Sequence, residues 1–182
     1  MTSSRRLSRD QAEQALASAT PIPMNRGASP IPVTPLEGID LGGSPSRLDL
    51  TALRHRTLLL FVSLDCNGCE DVIAGLVAPE LFGVGPGDEI IVIFRSLEDE
   101  QVESIASRLG GATCLISDTA FEAYGVSGPP FFAYVDPSLL TVFTEGVAWG
   151  TDSVASALRA AQSGAPSLEA PRLGFPHGKT TP

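Results

Sequence analysis

At residues 58–74 the sequence reads LLLFVSLDCNGCEDVIA, an apolar run joined to a helical pattern through two cysteines. Residues 58–64 are apolar apart from Ser63 and too short to span a membrane, which is typical of a strand covered on both faces. Cys66 and Cys69 follow at the expected start of a helix, where unpaired backbone N–H groups and the helix dipole favour a thiolate over a thiol. We therefore expect Cys66 to be an exposed nucleophile and Cys69, one helical turn later, to lie within reach for a disulfide.

The bulk composition argues for one globular domain and against two kinds of partner. The chain has 182 residues, 43% of them hydrophobic, which is enough to bury a core. Its net charge of −9 argues against a nucleic-acid surface, which needs clustered Lys and Arg on one face. The sequence as written has no apolar run long enough for a membrane span and no secretion signal after Arg5 and Arg6. The expected location is the cytoplasm, with export left open because a start codon further upstream would add a leader.

Proline and glycine set the expected domain boundaries. Residues 1–30 are polar and then proline-punctuated, with room for one short helix at residues 8–18, so we predict a mobile arm there. The segment 163–182 is rich in Pro and Gly, which predicts a disordered tail. Residues 31–162 are left as the folded domain.

Within that domain, the apolar periodicity predicts the order strand, helix, strand, helix, strand, helix, hairpin, helix. Ser96 is expected to open the second helix, with Asp99 in the capping-box position. This order calls for a central mixed sheet with helices on both faces. The predicted strands are 58–64, 89–95, 112–117, 131–135 and 141–144, the helices 70–82, 96–109, 118–124 and 151–161, with a helical turn at 51–55 and a hairpin or loop within 36–50 as an added edge.

Two motifs together resemble the thioredoxin fold, a three-layer α/β fold. One is the C-x-x-C at a strand-to-helix turn, and the other is GVSGPPFFAYV at residues 125–135. The second is similar to the family segment whose cis-proline packs beside the active disulfide, which implies that Pro130 is that proline. The Gly-rich lead-in and the long spacing between Cys69 and Pro130 are similar to the TlpA and MauD-like thiol-disulfide proteins. The resemblance covers residues 30–162.

The resemblance implies a thiol-disulfide oxidoreductase that needs no cofactor. In such a protein Cys66 would form the mixed disulfide with a protein or small-molecule partner, and Cys69 would resolve it. The two residues between the sulfurs would tune the redox poise, and the two prolines would shape the partner groove. The substrate-binding residues expected on this basis are Asn67, Gly68, Pro129 and Pro130.

The sequence departs from the family pattern in three respects: before the first cysteine, at the positions of the proton-transfer acid, and before the expected cis-proline. Leu64 and Asp65 stand where an aromatic Trp commonly precedes the first cysteine. Leu60 takes the place of the buried acid of thioredoxins, and Val72 takes the place of the glutamate found in TlpA-like proteins. Pro129 precedes the expected cis-proline and has no N–H, so one of the two backbone hydrogen bonds to a substrate strand is lost. These departures leave a redox-inactive binding module as an alternative.

A third alternative is a peroxiredoxin-like thiol peroxidase. The Ser63-x-x-Cys66 spacing is similar to the Thr-or-Ser-x-x-Cys of those enzymes, where a hydroxyl and an arginine activate the thiolate. Arg95, at the end of a predicted strand, is the candidate arginine. The match is partial, because Leu59 stands where peroxiredoxins carry a proline.

Metal binding is the weakest of the cysteine interpretations, and we predict no metal site. A structural zinc site needs about four ligands. Besides the C-x-x-C pair, the N and S candidates are Cys114 in an apolar strand, His55, and His177 in the predicted tail. Cys114 is expected to be a small core residue and His55 a surface residue.

Overall fold

The structure is a computed structural model that describes residues 32–163. The predicted arm at 1–30, with its helix at 8–18, and residues 164–182 of the predicted tail lie outside the described residues. The described elements, in chain order, are β1 (Leu36–Ile39), β2 (Pro45–Leu48), β3 (Thr57–Val62), α1 (Cys69–Ala74), β4 (Glu89–Phe94), α2 (Asp99–Ala106), β5 (Thr113–Ile116), α3 (Asp118–Ala123), β6 (Phe131–Asp136), β7 (Thr141–Val147) and α4 (Thr151–Gln162). None of the helices in this part of the chain is long and apolar enough to cross a membrane.

The strands form one mixed sheet of seven, in the order β2-β1-β5-β4-β3-β6-β7. β3, β4 and β5 run parallel, whereas β6 is antiparallel to β3, and β7 and β1 are antiparallel to their neighbours. The predicted hairpin within residues 36–50 is present as β1 and β2, added at one edge of the sheet. The predicted central mixed sheet is therefore confirmed.

The apolar run of β3 lies at the centre of the sheet, and every one of its residues is buried. Successive side chains of a strand point to opposite faces. Leu58 and Leu60 accordingly join the core packed under α1 and α4, whereas Leu59 and Phe61 join the core packed under α3. A continuous apolar run is therefore what a strand covered on both faces requires, and helices cover both faces as predicted.

The helix predicted at 70–82 is shorter and broken. It begins at Cys69, ends at Ala74 and gives way to two 3₁₀ turns, Gly75–Val77 and Pro79–Phe82. Pro79 has no N–H to continue the α-helical ladder. Gly75 also allows α4 to approach closely, since a Cβ at this position would stand 2.3 Å from the Thr151 Cγ2 atom.

Two local expectations are wrong because a different side chain satisfies the backbone. The α2 helix is capped by Glu98 rather than Ser96, and Glu98 and Gln101 form the capping box, with Gln101 Oε1 accepting the Glu98 N–H at 3.0 Å. The helical turn predicted at 51–55 is absent from the described chain there. Asp49 instead accepts both the backbone N–H of Thr51 at 3.0 Å and its hydroxyl at 2.6 Å, which favours a turn over a helix.

The end of α3 leads the chain to the cis-proline motif. Gly125 adopts a φ of 59°, and its N–H donates to the Glu122 carbonyl at 2.9 Å. The N–H of Val126 donates to the Phe121 carbonyl at 2.8 Å. These two hydrogen bonds and the left-handed residue make a Schellman cap, for which glycine is the usual choice.

Candidate functional site

The two cysteines of the C-x-x-C lie in one turn at the carboxyl edge of the sheet. The Cys69 N–H donates to the Cys66 carbonyl at 2.9 Å, and the Cys66 thiol is close enough to contribute to the raised pKa of Cys69. Cys66 is half-buried, whereas Cys69 is fully buried, and both are free thiols. Only Cys69 belongs to the helix, because Cys66 precedes the N-cap residue Gly68. The structure thus brings the two sulfurs together and leaves the first one reachable from solvent.

Burial controls the chemistry of Cys69. It packs in the same core as Val72 and Ile73, and its sulfur accepts the Ser63 N–H at 3.5 Å. Desolvation, together with the hydrogen bond to Cys66, raises the pKa of the Cys69 thiol to about 12. Cys69 is therefore a neutral thiol at physiological pH and has to lose a proton before it can act as a nucleophile.

The proline motif packs directly against this turn. The Pro129–Pro130 peptide bond is cis, at the position that the resemblance implied. A Cβ on Gly68 would stand 3.4 Å from Pro130 Cγ and 3.5 Å from its Cδ. The Pro130 carbonyl accepts the Ala148 N–H at 3.1 Å, which holds it at the start of β6. Gly68 and Pro130 are thus neighbours, as predicted, while Asn67 is exposed at the tip of the turn.

A groove of about 340 Å³ opens beside the cysteine turn. Its walls come from four parts of the chain that meet at the carboxyl edge of the parallel strands. The sequence alone did not lead us to expect that α2 and α3 contribute to this groove. The signal that could have shown it is that a helix following a parallel strand begins at the carboxyl edge of the sheet. The main lining residues are Ser63, Asp65, Arg95, Glu98, Phe121 and Pro129.

Arg95 lines the same groove as Ser63, but its guanidinium contacts α3 and the segment after it. Nη1 lies 3.2 Å from the Asp118 carboxylate, and Nη2 donates to the Val126 carbonyl at 3.5 Å. The guanidinium carbon also lies 4.7 Å from the centre of the Phe121 ring. These contacts differ from the arrangement that a peroxidase would need, in which the arginine faces the thiolate of Cys66.

The positions at which related folds carry a proton-transfer acid are core positions here. Leu60 and Val72 are both fully buried in the apolar cluster that contains Cys69. Glu70, the acid that directly follows Cys69 in the sequence, is exposed and forms an ion pair with Arg108. The apolar surroundings explain why the Cys69 thiol is held neutral.

Two of the remaining metal-ligand candidates, Cys114 and His55, lie within the described residues. Cys114 is buried in β5, where desolvation raises its pKa to about 12, and His55 lies at the turn that contains Gly87. Among residues 32–163, no three His, Cys, Asp or Glu side chains are grouped so that they could hold a metal ion. His177 lies outside the described residues.

The fold is shared with solved structures at low sequence identity. A thioredoxin domain of a thiol-disulfide oxidoreductase from Bacteroides vulgatus is 16% identical, with a TM-score of 0.57, over 73% of this chain and 97% of that one. A thioredoxin-family thiol:disulfide interchange protein from Chlorobium tepidum is also 16% identical, with a TM-score of 0.57, over 74% and 98%. The peroxidoxin BcpB from Mycobacterium tuberculosis is 18% identical, with a TM-score of 0.56, over 74% and 96%.

No protein-family model and no curated protein matches the sequence. The similarity to solved structures establishes the class of fold: the protein has a thioredoxin-like fold, as the two motifs implied. The same fold occurs in an oxidoreductase and in a peroxidoxin, so the activity has to be argued from the residues of the site. The predicted cytoplasmic location stays a prediction.

Proposed function

We propose that this protein is a thiol-disulfide oxidoreductase of the TlpA and MauD-like kind. The observation that carries the proposal is the pairing of a half-buried Cys66 with a fully buried Cys69 in one turn against Pro130. An accessible thiol beside an inaccessible one supports two successive roles, attack on a partner and resolution. Pro130 forms one side of this turn and therefore limits the direction from which a partner sulfur approaches.

In the first step the Cys66 thiolate attacks one sulfur of the partner's disulfide. The partner's S–S bond breaks, its second sulfur leaves as a thiolate, and a mixed disulfide forms at Cys66. In the second step Cys69 gives up its proton and attacks the Cys66 sulfur. The remaining partner sulfur leaves, so the partner has gained two electrons and Cys66 and Cys69 are joined by a disulfide. The reverse sequence oxidises a partner dithiol.

The proposed partners are protein or small-molecule thiols and disulfides, bound along the groove beside Cys66. Pro129 lines that groove but offers no N–H, so an extended partner strand can pair here only through the Pro129 carbonyl. Recognition would then depend more on the side chains of the groove than on backbone pairing.

The test is a redox titration of the full chain in a series of glutathione or dithiothreitol buffers, with free thiols alkylated and counted by mass spectrometry. The expected result is that Cys66 and Cys69 gain and lose two hydrogens together. The Cys114→Ala variant is the control and should titrate in the same way, because Cys114 is buried in β5. If Cys66 and Cys69 never interconvert as a pair, the oxidoreductase proposal fails and the binding module remains as an alternative.

A second assay separates the peroxidase alternative. Reduced protein is mixed with hydrogen peroxide, and sulfenic acid at Cys66 is trapped with a dimedone probe. Slow oxidation is expected, because Arg95 is held by Asp118, Phe121 and Val126. Rapid peroxide consumption with sulfenate at Cys66 would favour the peroxidase over the oxidoreductase.

A further inference from the structure

We propose that Arg95 is a positioning residue that clamps the end of α3 and thereby holds the wall of the groove beside Cys66. The kinetic consequence rests on the proposed thiol-disulfide function, whereas the structural consequence does not. The wall in question consists of Phe121 and Pro129, and Arg95 lines the groove together with both.

The parallel pairing of β3 and β4 places Arg95 next to the cysteine turn. Val62 is paired with Phe94 in the sheet, so the chain leaves both strands at the same level. Ser63 continues from β3 toward Cys66, and Arg95 continues from β4 into the groove. Residues 63 and 95 are thus adjacent because of sheet register, although 32 positions separate them in sequence.

The guanidinium connects the two ends of α3. At the start of that helix it pairs with Asp118 at 3.2 Å, and beyond its end it donates to the Val126 carbonyl at 3.5 Å. Between them it lies over the ring of Phe121, at 4.7 Å. A planar guanidinium offers five N–H donors and a stacking face, so a single Arg can make these three contacts at once, whereas Lys offers only a point charge.

Phe121 and Val126 are the two residues whose hydrogen bond closes the Schellman cap of α3. Both side chains are buried, and the Phe121 ring meets the Phe61 ring edge-on at 5.1 Å. Val126 is followed by exposed residues 127 and 128 and then by Pro129 and Pro130. Arg95 therefore holds Val126, the last buried residue before the proline pair. Without these contacts, the segment that lines the groove would become more mobile.

The ion pair with Asp118 is exposed, with 49% of the Arg95 side chain and 59% of the Asp118 side chain accessible. Exposed ion pairs contribute little to global stability. We therefore expect removal of Arg95 to leave the cooperative unfolding transition nearly unchanged while it loosens this segment. Faster local opening of this segment, with an unchanged global unfolding transition, distinguishes a positioning role from a merely structural one.

The first test is amide hydrogen exchange in Arg95→Ala, in Arg95→Lys and in the wild type. The Val126 N–H, protected by its 2.8 Å hydrogen bond to Phe121, is the reporter. We expect it to exchange about tenfold faster in Arg95→Ala, with Arg95→Lys intermediate, because local opening needs less free energy once the clamp is gone. The control is Arg47→Ala, which removes another exposed ion pair, with Glu37, at the β1–β2 edge. Unchanged Val126 exchange in Arg95→Ala would overturn the proposal.

The second test compares two disulfide substrates of the reduced enzyme, a small one (hydroxyethyl disulfide) and a cystine-containing peptide long enough to lie in the groove. For Arg95→Ala we expect KM for the peptide to rise about tenfold, with kcat and the small-substrate rate changed less than about twofold. Equal losses for both substrates would refute a role in the groove wall. If the wild type reduces neither substrate, the oxidoreductase proposal fails, while Val126 exchange still decides whether Arg95 clamps α3.

Discussion

The resolving step should depend steeply on pH, because Cys69 must ionise inside an apolar core. Its pKa of about 12 lies well above the ordinary value of 9.0. At neutral pH only about one Cys69 thiol in 100,000 is a thiolate, and this fraction grows about tenfold for each pH unit. In a mixed disulfide Cys66 has no thiol to interact with Cys69, but burial, the largest cause of the raised pKa, remains, so formation of the Cys66–Cys69 disulfide should still accelerate steeply with pH.

The absolute rate can be compared with that of an ordinary cysteine. Raising the pKa from 9.0 to about 12 lowers the thiolate fraction about 1,000-fold at neutral pH. A more basic thiolate is also a better nucleophile, with a Brønsted coefficient of about 0.4–0.5, which returns a factor of about 16–30. Resolution should therefore be slower than for an exposed cysteine at equal proximity, by at most about 30–60-fold, because the part of the pKa shift caused by the Cys66 thiol is lost in the mixed disulfide.

The assay uses the chromogenic aryl disulfide of thionitrobenzoate. Reaction with Cys66 releases one equivalent of the coloured thiol, and resolution by Cys69 releases a second, which stopped-flow absorbance separates in time. The rate of the second release is measured between about pH 6 and pH 9, and should rise about tenfold per pH unit throughout. The Cys69→Ser variant is the control and should show no second release.

A flat profile for the second release would refute the reasoning. So would a plateau near neutral pH. A flat profile would mean that a group not apparent from Leu60, Val72 and the other core neighbours accepts the proton of Cys69, and a plateau would mean that Cys69 ionises near neutral pH despite its burial.

Three further predictions concern trapping and stability. Cys69→Ser should accumulate a mixed disulfide at Cys66 with its cellular partners, visible on non-reducing gels and absent from the Cys66→Ser, Cys69→Ser double variant. Burial holds the pKa of Cys69 and of Cys114 at about 12, so the stability that these thiols contribute is complete below about pH 9 and is lost as the pH rises toward 12. Urea denaturation at about pH 8 and pH 10 should show a lower free energy of unfolding at the higher pH, with a smaller decrease in Cys114→Ala. An equal decrease in the variant would contradict this prediction. Leu140 is exposed and has a φ of 53°, which favours glycine, so Leu140→Gly should raise the free energy of unfolding by about 1 kcal/mol. Leu139→Gly should lower it, and thermal unfolding of the two variants measures both changes.

Local patterns in the sequence were sufficient for the elements that carry the site. The apolar run of residues 58–64 predicts a strand buried on both faces, because only a central strand can hide every side chain. The C-x-x-C spacing predicted that Cys66 and Cys69 lie in one turn, because that geometry is local, whereas the position of Pro130 beside them was implied by the resemblance of residues 125–135 to the thioredoxin-fold segment. Element boundaries were less accurate where a competing side chain satisfied the backbone, as at the Glu98 cap.

The groove and its clamp could not be predicted in the same way. Ser63, Arg95, Phe121 and Pro129 are far apart in the chain and meet only because parallel strands end at the same edge of one sheet. The raised pKa of Cys69 likewise depends on helices from distant parts of the chain that close over it and exclude water. Local residue patterns specify which groups can react, whereas long-range packing sets how exposed and how acidic each of them becomes.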